Sequence, residues 1–450
     1  MQNESRDTDV IVVGGGASGL MAAGRAAALG ARVVLLEKTD SVGKKILISG
    51  KARCNLTNSA DLKDFISMYG QNGRFLYSVF SRFFRPELLE FFEGFGLKTK
   101  IERGGRIFPV SDDARDVVGA LKKYLACGGV RIICSAPVMS VRLENGGFCV
   151  ETRTQTFRAR RVIIAAGGAS WPVTGTTGDG CKISAALGHA IVSLRPALVP
   201  LMVREQKLAL AMQGVSLRNV RATAFRGEAS TINATLTPAC DYGRGERKIP
   251  RPPLIESRFG EMLFTHFGLG GPVILLMSLS VVEALENGPV AILIDLKPAV
   301  TREQLRKRLL SDLNAAGKRK ISTILKEYLP SKMIDPMIGL AAIDPDKPAH
   351  QVTAQEREKI LENLKALRFN IRKALPLQKA IVTAGGVALD EIDPKTMASK
   401  IVPGLFFCGE VMDIDADTGG YNLQAAFSTG WAAGEAAAHS AEKLKKRETI

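Results

Sequence analysis

Gly14, Gly16 and Gly19 stand in G-x-G-x-x-G spacing, and the acid Glu37 follows about twenty residues on. Residues of these types at this spacing suit a pyrophosphate and a ribose. Gly14 permits a tight turn, Gly16 lets the backbone approach a phosphate, and Gly19 lets a helix lie close on a sheet. Glu37 suits a ribose diol and would repel a 2′-phosphate, which favours FAD or NAD over NADP. The elements needed to position them are all present. Val10 to Val13 read as a β-branched strand, a small-residue helix runs from Ala17 through Ser18 to Leu29, and a second strand runs from Arg32 to Leu36. The helix start offers unpaired N–H groups to phosphate oxygens.

Two further stretches carry groups suited to the same chemistry. Residues 40–59, rich in Gly, Ser, Asn and Lys, read as an irregular functional loop that is neither helix nor strand. In it, Gly43 and Gly50 permit close backbone approach, while Lys44, Lys45, Lys51 and Arg53 can meet phosphate or a reduced, anionic flavin. Cys54 stands beside these positive groups, which would lower its pKa and make it a candidate proton donor. A free cysteine also behaves as a small apolar residue, and that reading places Cys54 in the core. Near the other end of the chain, a strand at Leu405–Cys408 ends at Gly409–Glu410, a carboxylate suited to the ribityl or pyrophosphate region. Thr418, Gly419 and Gly420 then open a helix, Tyr421–Ala438, whose positive end would support charge on a reduced ring. No second G-x-G-x-x-G exists, so a nicotinamide donor would have to bind transiently.

The 450 residues, 46% of them hydrophobic, can bury more than one core. There is no apolar run of about twenty residues to span a membrane, and the polar MQNESRDTDV stretch is unlike a secretory signal. Seven cysteines without a C-x-x-C argue against a disulfide framework or a zinc site, and fit a reducing cytoplasm. The formal net charge is +16, and residues 191–375 hold 28 Lys and Arg against 18 Asp and Glu. The excess lies away from the nucleotide-binding pattern and points to a polyanionic partner.

Aromatics in the helical stretch 61–100 (Phe65, Phe83, Phe84, Phe91 and Phe92) have core spacing. Residues 104–129 read as a turn, a strand and a helix capped near Ser111 or Asp112; 131–152 read as a strand and a hairpin, and Val162 to Ala166 as a buried strand. Residues 191–298 alternate short apolar stretches with Pro- and Arg-rich connections, the pattern of a mainly β domain. Within them Gly268, Gly270 and Gly271 precede Pro272 at a helix start suited to an anion or carbonyl. His266 beside it reads as a core histidine, and residues 240–251 form a basic loop. Residues 301–375, through RFNIRKA, read as basic helices with one packed and one wet face. The α/β pattern returns near residue 380.

Several motifs in order, GGGASGL (14–20), GKKILISGKARCNLTN (43–58), GGRIFPVSDDA (104–114), AAGGAS with TGTTGDG (165–180), GEMLFTHFGLGGP (260–272) and GEVMDIDADTGGYNLQAAFSTG (409–430), resemble a bacterial family of BaiN/RdsA-type FAD-dependent flavoproteins. Ala52 and Ala416 stand where that family often has glycine. The resemblance implies an α/β fold: a split Rossmann-like FAD-binding domain with inserted β-barrel-like and helical domains. The expected boundaries are 1–190 and 376–450 for the two parts of the FAD domain, 191–300 for the β-rich insert and 301–375 for the helical one. Cofactor contacts are then expected at Gly14, Gly16, Ala17, Ser18, Gly19, Glu37, Lys38 and Lys45. They extend to Gly50, Arg53, Cys54, Asn55, Val138, Ala166 and Gly167, and to Gly409, Glu410, Gly420, Tyr421, Asn422 and Leu423. Cys54 and Tyr421 are the candidate proton donors. For some members the family implies NADH-dependent (or NADPH-dependent) reduction of a uridine in large-subunit ribosomal RNA; others act on steroid-like enones or small amino ketones. A non-catalytic, FAD-containing assembly factor that binds ribosomal RNA or its precursor is a third reading.

Overall fold

The computed structural model describes residues 8–144, 146–239, 241 and 253–448; apart from Asp241, the basic loop expected at 240–251 lies outside them. The chain forms two compact units, Met1–Arg195 with Ile381–Ile450, and Pro196–Ala380.

The discontinuous unit is built on a five-stranded parallel sheet. Its order is Leu405–Phe407, Arg161–Ile164, Val10–Val13, Val33–Leu36, Arg131–Ile133. Val10–Val13 is buried throughout and lies at the centre, as a continuous apolar run should in a sheet covered on both faces. The helix Ala17–Ala28 packs along the helix Tyr421–Glu448. What permits this is the spacing of Gly430 and Gly434: a Cβ on Gly430 would lie 2.3 Å from the Ser18 carbonyl oxygen, and one on Gly434 would lie 2.3 Å from that of Ala22. Phe65, Phe80, Phe83, Phe84 and Phe92 are buried, with Phe65 edge-on to Phe84 at 4.9 Å and to Tyr421 at 4.7 Å.

Residues 40–59 are more ordered than their composition implies. A short helix, Lys44–Ile48, follows Gly43 at φ 79°, and Thr57–Asn58 pairs with the strand Arg106–Pro109. The helix Ala114–Cys127 is capped by Asp113, one residue past the expected cap.

His189 is buried here between two partners. Its Nδ1 lies 2.9 Å from Glu391 Oε2 and its Nε2 lies 2.9 Å from Ser399 Oγ. Ser399 Oγ accepts the N–H groups of Ile401 (3.1 Å) and Val402 (2.7 Å), so its own hydrogen is directed to Nε2. The ring is therefore neutral, with Nδ1–H donating to Glu391.

The inserted unit is a closed barrel of six antiparallel strands, in the order Leu201–Val203, Gly268–Gly270, Leu254–Phe264, Ser216–Arg226, Val290–Asp295, Leu367–Ala374. Ala222, Ala224, Ile292 and Ile294 share one core with Val273, Met277 and Val281 of the helix Pro272–Leu285, and with Leu305, Leu309 and Leu361 of the basic helices. Residues 367–374 were expected to be helical. They form the strand that closes the barrel, because Leu367, Phe369 and Ile371 alternate inward at period two. Gly271, at φ 85°, also has a packing reason, since its Cβ would meet the Met262 and Leu263 backbone at 2.8 Å. His266 is exposed, edge-on to Phe267, and is not the core histidine that its surroundings implied.

Gly434→Ala should destabilise the discontinuous unit by about 1–3 kcal/mol through overpacking, read as a lowered urea midpoint with unchanged slope. A second prediction concerns pH. Burial holds the His189 pKa below its ordinary value of 6.5, against the opposing pull of Glu391. On acidification the unfolded chain therefore takes up this proton first. Stability is fully present above about pH 6.5 and declines as pH falls from there toward the folded pKa. Thermal melts between about pH 8 and pH 5 should show that decline, and His189→Gln should flatten it.

Candidate functional site

The glycine turn is held from several sides. Gly14, at φ 109°, donates its N–H to Leu36 O at 2.8 Å, and Gly43 N donates to Gly15 O at 2.8 Å. A Cβ on Gly19 would sit 1.9 Å from Gly14 O, so only glycine lets the helix start this close to the strand. At Gly16 a Cβ would meet nothing within 4 Å, which leaves the helix start open. Ala17 is half-buried beside it, and Ser18 Oγ donates to Cys408 O at 3.3 Å next to Gly409. Ala166 and Gly167 (φ 69°) follow the neighbouring strand at the same edge of the sheet. The open turn thus lies at the carboxyl ends of three adjacent strands, where open α/β sheets bind ligands.

Glu37 is buried, its Oε2 accepting from Gly15 N at 2.7 Å and its Oε1 from Thr39 N at 2.7 Å. Both oxygens keep further lone pairs for a diol. Ala136 N donates to Glu37 O at 2.9 Å, which brings the strand starting at Val138 alongside.

Of the cations expected to meet phosphate, all but the exposed Lys51 are already partnered. Lys45 Nζ lies 2.6 Å from Glu410 Oε2 and 2.9 Å from Ser170 Oγ, and Glu410 Oε1 accepts from Thr383 N at 2.7 Å. Lys38 pairs with Asp179 at 2.6 Å, and Lys44 with Asp40 at 2.7 Å. Arg53 donates to both oxygens of Glu102 (2.8 and 3.1 Å) and to Asp112 (3.1 Å), and lies over the Phe108 ring at 4.1 Å. Arg53 is thus a clamp for its own loop. It needs to be one, because Gly50, Lys51, Ala52 and Cys54 all have φ between 56° and 65°, costly for the three non-glycine residues. Ala114 N, donating to Ala52 O at 2.9 Å, holds the loop from the other side.

That loop presents Asn55, whose buried Oδ1 has no hydrogen-bond partner. The same loop approaches the helix start at Tyr421: a Cβ on Gly420 (φ 100°) would lie 2.3 Å from Thr57 O, and Asn58 Nδ2 donates to Gly419 O at 3.0 Å. Tyr421 is buried, and its carbonyl accepts from Tyr69 Oη at 2.7 Å. Asn422 ties this start to Ala416, accepting from its N and donating to its O, both at 2.9 Å, and Leu423 is half-buried one residue on.

Cys54 departs from expectation. Its thiol is fully buried, and burial pushes its pKa up to about 12. The positive groups beside it in sequence turn elsewhere, Arg53 toward Glu102 and Lys45 toward Glu410, and the one opposing influence, a hydrogen bond with Ser49, is outweighed by burial. Tyr421 is likewise raised by burial and stays a neutral phenol.

The HI0933-like protein Rossmann domain matches residues 8–436. The chain belongs to that family. A 3-dehydro-bile acid delta(4,6)-reductase of Clostridium scindens is 33% identical over 430 residues, 95% of this chain and 98% of the relative. A ribosomal RNA dihydrouridine synthase of Escherichia coli is 29% identical over 427 residues, 94% of this chain and 96% of the relative. Among solved structures, the open conformation of a flavocytochrome c3 fumarate reductase aligns with 97% of this chain and 79% of its own, at 17% identity and a TM-score of 0.49.

The family is one of FAD-dependent oxidoreductases, and this chain is one of them. Its residues fit FAD. The bare helix start at Gly16, the Glu37 carboxylate with spare lone pairs and the orphaned Asn55 Oδ1 are what a pyrophosphate, a ribose and a ring N–H require. Sequence reasoning missed Ser170, Thr383, Glu102, Asp112 and Asn58 as the residues that hold the site's side chains and loops. Ser170 and Thr383 do stand beside paired glycines, Gly167–Gly168 and Gly385–Gly386, the one local signal that they had a special role.

With its thiol protonated and buried, Cys54 should resist alkylation in the native protein at neutral pH and react only on unfolding. Cys54→Ala should keep bound FAD and lower turnover by less than about tenfold, because a proton donor would contribute about 10²-fold or more.

Proposed function

We propose that this chain reduces a uridine of large-subunit (23S) ribosomal RNA to dihydrouridine, with FAD as resident cofactor and NADH as electron donor. The observation that carries the RNA reading is where the charge lies. In the inserted unit many basic groups are neutralised internally, Arg302 and Arg306 by Glu358, Lys347 by Glu356 and Lys365 by Asp295. Exposed Arg218, Arg226, Lys326, Lys359, Arg372 and Lys373 have no ion-pair partner among the described residues. Free cations of this kind suit phosphates, which position a nucleic acid without reading its sequence. A relative named for this reaction, alike along nearly the whole chain, supports the same reading.

The Gly14–Gly19 turn, Glu37 and the helix start at Tyr421 would hold FAD, which when bound and reduced would supply the hydride. The uracil C5=C6 bond is conjugated to C4=O. As C6 takes the hydride, charge builds toward O4 and C5 must receive a proton. Tyr421, neutral and at the positive end of a helix of 28 residues, is the group assigned to that proton, with solvent restoring it afterwards. The base has to leave its stack to react, which favours a loop or an incompletely folded precursor RNA.

A second reading, reduction of a small enone ring, is favoured by the 33% identity to a relative named as a bile acid reductase. The bond chemistry is the same, and only the means of holding the substrate differs. Deleting the gene in its own host and mapping dihydrouridine in ribosomal RNA decides between them. Loss of one modified position supports the RNA reading, and an unchanged map ends it. In vitro, kcat/KM on RNA should fall by about a thousandfold between 50 and 200 mM salt if six or more phosphates are held, whereas a neutral enone substrate should be nearly salt-independent.

A further inference from the structure

We propose that Arg103 and Arg106 grip the phosphates on either side of the nucleotide that is reduced. The inference rests on the uridine reading above and deepens it, by placing a phosphate site in the discontinuous unit, at the redox end of the cofactor site.

The strands Thr99–Ile101 and Arg106–Pro109 are joined through the turn Arg103–Gly105. Two observations place that turn. Asn58 Nδ2 donates to Gly104 O and to Gly419 O, both at 3.0 Å, so one side-chain amide joins the turn to the helix start at Tyr421. Arg106 also stands opposite Asn58 in the antiparallel pairing of Thr57–Asn58 with Arg106–Pro109. Residues so paired share a face of the sheet, with Cβ atoms about 4.5–5.5 Å apart. The helix start is the end of the site assigned to the redox ring, and Asn55, assigned to the same ring, lies three residues before Asn58 in the chain.

The backbone of the turn is fixed, whereas its basic side chains are bare. Ser59 N donates to Gly105 O at 2.7 Å, and a Cβ on Gly105 (φ 73°) would lie 2.6 Å from Asn58 Oδ1. Arg85 Nη1 steadies the adjoining strand by donating to Asn58 O at 3.2 Å and Ala60 O at 2.6 Å. Arg103 and Arg106 are exposed and have no ion-pair partner among the described residues. Glu102, beside Arg103 in the chain, is taken by Arg53 at 2.8 Å and Lys100 at 3.8 Å. Arg106 Nε donates to Arg103 O at 3.1 Å, which leaves Nη1 and Nη2 without a partner among the described residues. A guanidinium fork held by its own chain and left empty matches two oxygens of a phosphate.

The reaction needs cations at this place. Phosphates flanking an extruded nucleotide travel with its ribose, so they stay within a nucleotide's length of the ring that receives the base. Lys45 and Arg53 are not available to them, because Glu410, Glu102 and Asp112 already neutralise both. Arg153 is exposed too, but it stands in the turn after Gly147–Thr152, in a separate three-stranded sheet.

The test follows reduction of ribosomal RNA by the FAD-loaded protein with NADH. Arg106→Gln should raise KM for RNA by about tenfold at unchanged kcat. Loss of one held phosphate should also flatten the slope of log(kcat/KM) against log[salt] by about 0.7. Arg106→Lys should restore the slope, Arg153→Gln should change neither quantity, and FAD content should be equal in all. Flavin reduction by NADH without RNA should be unaltered. Should Arg106→Gln fail to fold, Arg103→Gln reads the same slope. An unchanged KM and slope in Arg106→Gln, an equal loss in Arg153→Gln, or slower flavin reduction by NADH in place of a raised KM for RNA would each overturn the phosphate grip. Uridine reduction that Arg106→Gln leaves intact removes the grip and keeps the uridine reading. No uridine reduction by the unaltered protein, with oligouridylate binding that weakens and loses salt dependence in Arg106→Gln, removes the uridine reading and keeps the grip.

Discussion

Close backbone contact around the helix Ala17–Ala28 is the constraint on which the remaining features of the site depend. At Gly19 the helix presses on the carbonyl of Gly14, at Gly14 the turn presses on that of Ala165, and at Gly430 and Gly434 the closing helix rests directly on the carbonyls of Ser18 and Ala22. No side chain fits in any of these gaps. With the helix drawn in so tightly, its start stands bare at the carboxyl edge of the sheet, and its unpaired N–H groups and dipole point at the same open space. The strand order has a similar effect. Val10–Val13 lies between Val33–Leu36 and Arg161–Ile164, with Leu405–Phe407 one strand further, so the loops after residues 13, 36, 164 and 407 share one edge.

The electrostatics divide between the two units. Around the cofactor site the cations are neutralised in place, Lys45 by Glu410, Lys38 by Asp179 and Arg53 by Glu102 and Asp112. Negative charge there is met by backbone amides and helix ends, which cost no reorganisation when charge develops. Exposed cations without an ion-pair partner among the described residues occur in both units, Lys51, Lys63 and Arg153 among them in the discontinuous one, but the larger excess of basic over acidic residues lies in the inserted one. One unit is arranged to hold a charged cofactor without side-chain counter-ions, and the other carries a surface with a salt-dependent attraction for polyanions.

Strain marks the places where this arrangement is functional. The left-handed residues Lys51, Ala52 and Cys54 lie in the loop that follows Lys45. That loop is fastened from distant parts of the sequence, by Ala114 N to Ala52 O and by the pairing of Arg53 with Glu102 and Asp112. That is the condition under which unfavourable backbone persists.

Much was legible in the chain itself. The glycine spacing, the β-branched run and the terminal acid specified the nucleotide-binding turn, because each acts through local backbone sterics and a period that neighbouring residues share. The return of α/β pattern near residue 380 likewise showed that the last segment completes the first. Other features were decided by the tertiary structure. Cys54 looked activated because lysines and Arg53 lie beside it in sequence, yet sequence neighbours on an irregular loop turn in different directions, and burial prevailed. Residues 367–374 looked helical from their charges, but barrel closure required a strand with Leu367, Phe369 and Ile371 on one face. The partners of Lys45 and Arg53 are 365 and 49 residues away. Pairings over such separations leave no periodic trace, since they depend on which ends of which strands the fold brings together.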